Sequence, residues 1–175
     1  HPGQRVALAL ANLNETIVLF YALNAMGIAV VMVHPLSSGK LLRQRLNEVR
    51  CCTVFVVDLL ASRYGTHLEG LQVIAVEARH SVTGLQKLFL GLRRTRLPVW
   101  KEAAIADPLH VLLDEPDAVI LFSSGTTGTQ KAISLSNAAM NALVDQMETC
   151  IAPERGVDGI LAVLPFFHGF GLGIG

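Results

Sequence analysis

The sequence predicts an α/β protein in which a largely parallel sheet is flanked by helices. Of its 175 residues, 51% are apolar and 16% are charged, which excludes disorder and favours an architecture with most strands buried. The main apolar runs are continuous rather than alternating, as in strands that are covered on both faces. Helical patterns separate these runs, and that alternation implies parallel pairing through right-handed crossovers. The length fits a single domain.

The first strand and helix are predicted near the start of the chain. Residues 5–10, RVALAL, form a short apolar run that predicts a strand. Asn14 and Glu15 favour the start of a helix, whose apolar positions run through residues 17–26. Residues 28–33, IAVVMV, are rich in β-branched side chains and predict the second strand.

Residues 16–33 carry no charged side chain, and these 18 residues approach the length that a membrane-spanning helix needs. Asn24 interrupts the run, and Gly27 lies where a helix would end. We therefore expect a buried helix followed by a buried strand, and no transmembrane segment. The first residues lack a basic stretch that leads into an apolar one, so we also expect no signal peptide. Because the cysteines show no disulfide framework, we expect a cytoplasmic protein.

The second helix is predicted over residues 39–50, GKLLRQRLNEVR, after a turn at His34 and Pro35. Either Ser37 or Ser38 is suited to cap it. Its apolar side chains share one helix face: Leu42, Leu46 and Val49.

Three more strands are predicted at residues 53–57, 71–76 and 118–122. The first two, TVFVV and LQVIAV, are continuous apolar runs, so we expect both to be covered on both sides. Residues 91–116 contain three prolines and little periodicity, which predicts a connection ahead of the last of these strands, AVILF.

Charge and cysteine content exclude several classes of function. Basic and acidic residues number 14 each, so no net charge draws the protein to nucleic acid or to an anionic membrane. Arg93, Arg94 and Arg96 form the nearest basic patch, which a solvated surface explains better than a phosphate site. The three cysteines show neither a disulfide framework nor a zinc-ligand spacing.

A loop rich in small donors follows the strand AVILF. Residues 123–131, SSGTTGTQK, hold five hydroxyl side chains, two glycines and a lysine. Open α/β sheets bind ligands at the carboxyl ends of their strands, which is where this loop begins. Glycines let backbone N–H groups approach a ligand closely, and hydroxyls and a lysine add donors and charge. These are the components of a polyphosphate site.

Two other interpretations of this loop are a Walker A loop and a plain hairpin turn. It is not a Walker A loop, because Gln130 precedes Lys131 and Ala132 follows it, so a kinase or an ordinary P-loop NTPase is disfavoured. It is also compatible with a plain hairpin turn in which residues 131–136, KAISLS, return as a strand and the lysine is merely solvated. Phosphate binding is favoured because a plain turn rarely needs so many hydroxyls and glycines.

The loop resembles the Ser-Gly-Thr-Thr-Gly-x-Pro-Lys-Gly signature of the adenylate-forming synthetases, a family that includes acyl-CoA ligases, luciferases and peptide-synthetase adenylation domains. It departs from the signature at Gln130 and Ala132, where the family usually has Pro and Gly, and at Asn137, where His is frequent. A second motif, LPFFHGFG at residues 164–171, is similar to the family's Leu-Pro-x-Phe-His-x-x-Gly segment. Residues 20–38 also look like the amino-terminal region of fatty acyl-CoA ligases.

The resemblance implies a two-step reaction. A carboxylate attacks the α-phosphate of ATP to give an acyl-adenylate and pyrophosphate, and the thiol of CoA then displaces AMP. ATP, Mg²⁺ and CoA are the implied cofactors, with an acyl carrier protein as an alternative acceptor. The implied phosphate contacts are Ser124, Gly125, Thr126, Thr127, Gly128 and Lys131. His168 is implied to act near the carboxylate and the α-phosphate.

The resemblance also sets expectations about substrate and extent. The FFHGFG segment favours a fatty or aryl acid over an amino acid, whose ligases usually carry Phe-Asp-x-Ser there. Phe166, Phe167 and Phe170 are suited either to line an acyl tunnel or to fill a core. The family's adenine-side motif, ribose acid and catalytic lysine domain are not found in residues 1–175. We therefore expect an incomplete amino-terminal portion of one large domain, inactive alone, or a degenerate domain that binds adenylate without catalysis.

A cluster of acidic residues lies near the loop in the sequence. Asp114, Glu115 and Asp117 precede the loop strand and raise the question of a metal site. Because Pro116 lies among them, we expect an exposed turn instead. The histidines other than His168 have no recognisable acid or nucleophile partner, so they receive no catalytic role.

Overall fold

The computed structural model describes residues 3–77, 117–123, 130–154 and 156–174. Within these ranges one sheet has six strands: β1 (Arg5–Ala9), β2 (Ala29–Met32), β3 (Thr53–Val57), β4 (Gln72–Val76), β5 (Asp117–Phe122) and β6 (Ala132–Ser136). The helices are α1 (Asn14–Ala25), α2 (Gly39–Glu48), α3 (Asp58–Tyr64), α4 (Asn137–Ile151) and α5 (Gly169–Ile174), with a 3-10 turn at Gly65–Leu68. The predicted connection at 91–116 lies outside the described residues.

The strand order is β4-β3-β1-β2-β5-β6, and the first five strands run parallel. The sequence-based prediction of an α/β fold with a largely parallel sheet is therefore confirmed. β6 is the exception, because it returns antiparallel to β5. The chain moves from β1 to its neighbour β2, then crosses back over β1 to β3. This reversal makes β1 and β3 the topological switch point, and α/β sheets form ligand crevices at the carboxyl ends of such strands.

Both faces of the sheet are covered, as right-handed crossovers in opposite directions require. One face packs against α2 and the segment after β3, and its buried set includes Leu42, Leu46 and Tyr64. The other face packs against α1, α4 and α5, and it includes Leu23 and Phe166. The continuous apolar runs of β1 and β2 fit this position between two layers.

Helix α2 forms as the sequence predicts. Ser38 is its cap, because its Oγ accepts a hydrogen bond from the Leu41 N–H at 3.3 Å. Ser37 has a different role and accepts from Arg45 at 3.4 Å. The predicted apolar face is confirmed, since all three of its members are buried: Leu42, Leu46 and Val49.

Helix α1 is less buried than expected. Within the described residues only its Thr16 and Leu23 are buried, whereas Val18 and Tyr21 are 65% and 69% exposed. The prediction of a buried helix was wrong for most positions of α1, because an apolar run shows what a helix is able to bury and not how many of its sides are covered. The helix ends before Gly27, whose φ of 70° only glycine adopts readily.

Strand β4 is the second correction. Its side chains are exposed or half-buried along its length, so the expectation that residues 71–76 are covered on both sides was wrong. Among the described strands β4 lies at the edge of the sheet next to β3, and edge strands receive less cover than central ones. No helix in the described parts of the chain is long and apolar enough to cross a membrane.

Candidate functional site

The candidate site lies at the carboxyl end of the sheet, where strands β1, β2 and β5 end. These strands are parallel neighbours, with Leu8 paired to Met32 and Val31 to Ile120, so their carboxyl ends meet at one edge. A segment at residues 162–168, referred to below as the crossing segment, lies against this edge. It carries the Phe-Phe-His part of the second motif.

Asn12 fastens the crossing segment to the end of β1. Its amide nitrogen donates to the carbonyl oxygens of Ala162 at 3.0 Å and Leu164 at 2.7 Å. Its amide oxygen accepts from the Phe166 N–H at 2.9 Å. Only Asn and Gln combine donor and acceptor in this way on a planar group, so the residue type follows from the three contacts.

His34 lies just beyond β2, at the strand end where the sequence placed it. Its Nδ1 accepts from the Leu36 N–H at 3.0 Å, which holds the ring across the turn. The ring packs against Phe167 with centroids 4.4 Å apart. The next residue back in the crossing segment, Phe166, is 6% exposed and part of the core. Phe170 is 61% exposed, so the three aromatic side chains occupy different environments.

His168 is the exposed end of the crossing segment. The backbone N–H of His168 donates to the Pro165 carbonyl at 3.0 Å. The backbone carbonyl of His168 accepts from the Leu172 N–H of α5 at 2.9 Å. The backbone at this position is therefore fixed while the imidazole stays accessible. Gly169 lies close to β5, because a Cβ added there would be 3.4 Å from Leu121 Cδ1.

Ser123 and Lys131 form the base of the predicted phosphate loop. The Ser123 N–H donates to the Lys131 carbonyl at 2.9 Å, and the Lys131 N–H donates to Ser123 Oγ at 3.0 Å. They extend the antiparallel ladder beyond the Phe122–Ala132 pair. The loop therefore connects β5 to β6 in a hairpin. This geometry agrees both with a phosphate site and with a plain hairpin turn.

The structure describes only part of the predicted phosphate site. Lys131 lies at the loop base with an exposed side chain. The other predicted contacts lie outside the described residues: Ser124, Gly125, Thr126, Thr127 and Gly128. Their role stays a prediction, as does that of His168.

Arg45 of α2 contacts both ends of this loop. Its Nη2 donates to Gln130 Oε1 at the loop exit, and its guanidinium lies 4.9 Å from the centroid of the Phe122 ring at the entry. The residue is only 9% exposed, and burial lowers its pKa, an effect that the nearby Glu48 carboxylate opposes. Because an arginine stays protonated even after such a shift, a positive charge is held beside the two ends of the loop.

A cavity of about 770 Å³ opens between α1 and α4, on the face of the sheet that carries Phe166. Its wall is mainly apolar and includes Phe20, Met140, Val144 and Leu172. A volume of this size falls within the range of small-molecule sites. Of the three aromatic residues considered for an acyl tunnel, Phe166 lines this cavity.

Of the acidic cluster, only Asp117 lies within the described residues. Asp117 opens β5 at the opposite edge of the sheet and lies 3.9 Å from Arg5 in an ion pair. Asp114 and Glu115 lie outside the described residues. Among the residues that are described, no group of three or more His, Cys, Asp or Glu side chains is placed to hold a metal ion.

Sequence reasoning missed two residues of this region, Asn12 and Arg45. Asn12 gave a weak signal, since it is the first strongly polar side chain after the run of β1. Arg45 gave none, because an arginine in a polar helix normally predicts solvent contact. Both act on partners more than 80 residues away in the chain, at 85 residues for Arg45–Gln130 and at least 150 for Asn12.

Comparison with known proteins gives one family. The sequence profile of the family described as AMP-binding enzyme matches residues 1–175. The chain is 25% identical over 194 residues to a long-chain-fatty-acid–CoA ligase of Bacillus subtilis, covering 97% of the chain and 34% of that relative. It is 27% identical over 184 residues to 4-coumarate–CoA ligase 1 of Oryza sativa subsp. japonica, covering 97% and 30%.

The fold comparison agrees. A crystal structure of a long-chain-fatty-acid-CoA ligase from Archaeoglobus fulgidus superposes with a TM-score of 0.75 at 21% identity, covering 99% of the chain and 33% of that structure. At this identity the likeness establishes the fold. The chain spans about a third of the length of the curated relatives it matches.

Proposed function

The chain belongs to the AMP-binding enzyme family, which confirms the resemblance found in its motifs, and from this premise we propose that the protein activates a carboxylic acid with ATP. The product is an acyl-adenylate, whose acyl group then passes to the thiol of CoA. In the first step a carboxylate oxygen forms a bond to the α-phosphorus as the bond to pyrophosphate breaks. In the second step the thiol sulfur bonds to the acyl carbon and AMP leaves.

The position of the loop base carries this proposal. Ser123 and Lys131 close a donor-rich loop at the carboxyl end of β5, on the same side of the sheet as the carboxyl ends of β1 and β3 at the switch point. A carboxylate approaching a polyphosphate meets strong repulsion, so the site must supply positive charge and N–H or O–H donors. We assign Lys131 to the phosphates of ATP, together with the loop residues Ser124, Gly125, Thr126, Thr127 and Gly128.

His168 is proposed to contact the reacting carboxylate and the α-phosphate. Its exposed ring and doubly hydrogen-bonded backbone support this role, because a catalytic side chain must be accessible while its main chain is held. The crossing segment that presents it is fixed at Asn12 and at His34. Magnesium, when bound with ATP, would neutralise part of the phosphate charge.

A fatty or aryl acid is the proposed substrate class. The relatives named above are ligases of long-chain fatty acids and of 4-coumarate, and the chain's own FFHGFG segment differs from the motif typical of amino-acid ligases. The mainly apolar cavity beside Phe166 is in keeping with an apolar acyl group. CoA is the proposed acceptor, and an acyl carrier protein is the alternative that the assay separates.

The test is exchange of labelled pyrophosphate into ATP by the full-length protein, with fatty, aryl and amino acids offered separately. Exchange that depends on a fatty or aryl acid supports the proposal and identifies the substrate class. Thioester formation with CoA, compared with an acyl carrier protein, then identifies the acceptor. Exchange with amino acids alone would overturn the substrate assignment.

A pair of lysine variants tests the loop. Lys131→Met removes the charge at the loop base, and we expect kcat/KM for ATP to fall on the order of 100-fold. Lys40 is the matched control, because it is also exposed but lies at the start of α2. Lys40→Met should leave exchange unchanged. Equal effects of the two substitutions would contradict the proposed role of Lys131.

Gln130 and Ala132 favour a second candidate, a degenerate domain that binds adenylate without catalysis. These residues stand where the family signature usually has Pro and Gly. ATP binding by the full-length protein without exchange for any acid would support this candidate. If Gln130→Pro combined with Ala132→Gly then restored exchange, the loop departures would be the cause. The 175 residues alone are expected to give no turnover, since they lack the family's other active-site motifs.

A further inference from the structure

Helix α2 contacts the strands on both sides of the loop through two side chains one turn apart. Arg45 donates to Gln130 Oε1 and lies over the Phe122 ring, so one guanidinium touches the entry and the exit of the loop. Glu48 accepts a hydrogen bond from the Ala132 N–H at 3.4 Å. Residues three apart on a helix share one face, which explains why both reach the same hairpin.

We propose that Arg45 is a positioning residue that holds the exit of the loop through Gln130 and thereby sets the placement of Lys131. The family signature usually has Pro at position 130, which restricts the backbone but has no side-chain acceptor. Gln130 has no such backbone restriction, and it offers an oxygen to Arg45. In this chain a side-chain tie from α2 therefore replaces the rigidity that Pro supplies elsewhere.

The burial of Arg45 favours its hydrogen bond to Gln130. Arg45 is 9% exposed and its buried Nε has no hydrogen-bond partner among the described residues, so its Nη groups carry the polar contacts that the structure describes. They reach Ser37 Oγ at 3.4 Å and Gln130 Oε1. A hydrogen bond from a charged donor strengthens as water is excluded, and losing it leaves a buried charge less satisfied. Gln130 is therefore more than a solvated loop residue.

The anchoring of the loop exit stands on the geometry alone, whereas its consequence for ATP rests on the proposed function. Two readouts keep these apart. Trypsin cleavage after Lys131 in the native full-length protein reports local opening of the loop exit and needs no activity. The KM for ATP in pyrophosphate exchange reports phosphate positioning.

Gln130→Met is the first variant, because Gln130 is exposed and its loss leaves the core intact. We expect cleavage after Lys131 to accelerate about 5- to 30-fold, and the KM for ATP to rise by a similar factor. Cleavage after Lys40 serves as the internal control and should not change. Gln44→Met on the exposed side of α2 is the matched variant and should alter neither readout.

Arg45→Met completes a double-mutant cycle. If the two side chains act as one tie, Arg45→Met with Gln130→Met is no worse than the more severe single variant in either readout. Additive effects, or an unchanged cleavage rate in Gln130→Met, would overturn the proposal. Should Arg45→Met fail to fold, the Gln130→Met and Gln44→Met pair still decides it.

The two levels fail separately. If the wild-type protein shows no exchange with any acid but Gln130→Met accelerates cleavage after Lys131, the proposed function fails and the anchor stands. If exchange is robust and neither cleavage nor the KM for ATP changes in Gln130→Met, the anchor fails and the proposed function stands.

Discussion

Substituting Gly171 by Ala should destabilise the protein and displace His168. Gly171 ends the LPFFHGFG motif and is buried in the first turn of α5. A Cβ at this position would lie 2.2 Å from the Pro165 carbonyl oxygen, well inside the 3.4 Å at which ordinary contact begins. The same oxygen accepts the His168 N–H at 3.0 Å. The added methyl group therefore pushes on the bond that fixes the proposed catalytic histidine.

The expected loss of stability depends on which atoms the added methyl group would contact. At Gly171 the three nearest atoms belong to the backbone of Leu164 and Pro165, which cannot rotate aside. Overpacking costs about 1–3 kcal/mol, and the better helix propensity of Ala returns up to about 1 kcal/mol. Because the obstacle is rigid, the expected loss lies towards the upper end, at about 2 kcal/mol of unfolding free energy.

Two neighbouring glycines provide graded controls. At Gly173 the nearest atom, 2.7 Å from an added Cβ, is Leu143 Cδ2 at the end of a flexible side chain. Gly173→Ala should therefore cost less than about 1 kcal/mol. At Gly159 nothing lies within 4 Å, so Gly159→Ala should change stability by less than about 0.5 kcal/mol or raise it slightly.

Urea unfolding of the three full-length variants tests the order Gly171, Gly173, Gly159 from most to least destabilised. Pyrophosphate exchange should fall in kcat for Gly171→Ala and stay at the wild-type level for Gly159→Ala. If Gly171→Ala were as stable as Gly159→Ala, the close approach of α5 to the Pro165 carbonyl would be refuted. If it were destabilised but fully active, the coupling of this contact to His168 would be wrong.

Three further predictions concern single contacts. Asn12→Asp keeps the acceptor for the Phe166 N–H but loses the hydrogen bonds donated to the Ala162 and Leu164 carbonyls. We expect the free energy of unfolding, measured in urea, to fall by about 1–3 kcal/mol. An unchanged unfolding midpoint would contradict the role of Asn12. Tyr64→Phe removes a buried hydroxyl that donates to the Pro35 carbonyl at 2.5 Å and should cost about 1–2 kcal/mol in the same assay, whereas Tyr21→Phe at an exposed position should cost nothing measurable. Burial raises the pKa of the Cys51 thiol, so at pH 8 a smaller fraction of Cys51 than of a free cysteine is thiolate. Mass spectrometry should therefore show that the exposed Cys52 and Cys150 are alkylated before Cys51, and a higher pH should bring the three alkylation rates closer together. Equal rates for all three cysteines would disprove this.

Local sequence identified several of the elements and predicted the chemistry of the loop. Continuous apolar runs identified β1, β2 and β3, because a strand between two helical layers needs no polar face. The spacing of Leu42, Leu46 and Val49 identified the buried face of α2. The hydroxyls and glycines around residues 124–128 predicted a phosphate site, since those residue types confer donors and close approach wherever the loop lies.

The tertiary structure decided which segments of the chain are neighbours. Whether a strand is central or at the edge depends on which partners pair with it, so the run at β4 was assigned more cover than it has. The same reason explains Arg45 and Asn12, whose partners lie at 85 and at least 150 residues in the chain. A local pattern records what a segment is able to bury or donate, and only the pairing of distant segments selects the partner. The departure from Pro at Gln130 was visible in the sequence, but its contact with Arg45 required the fold.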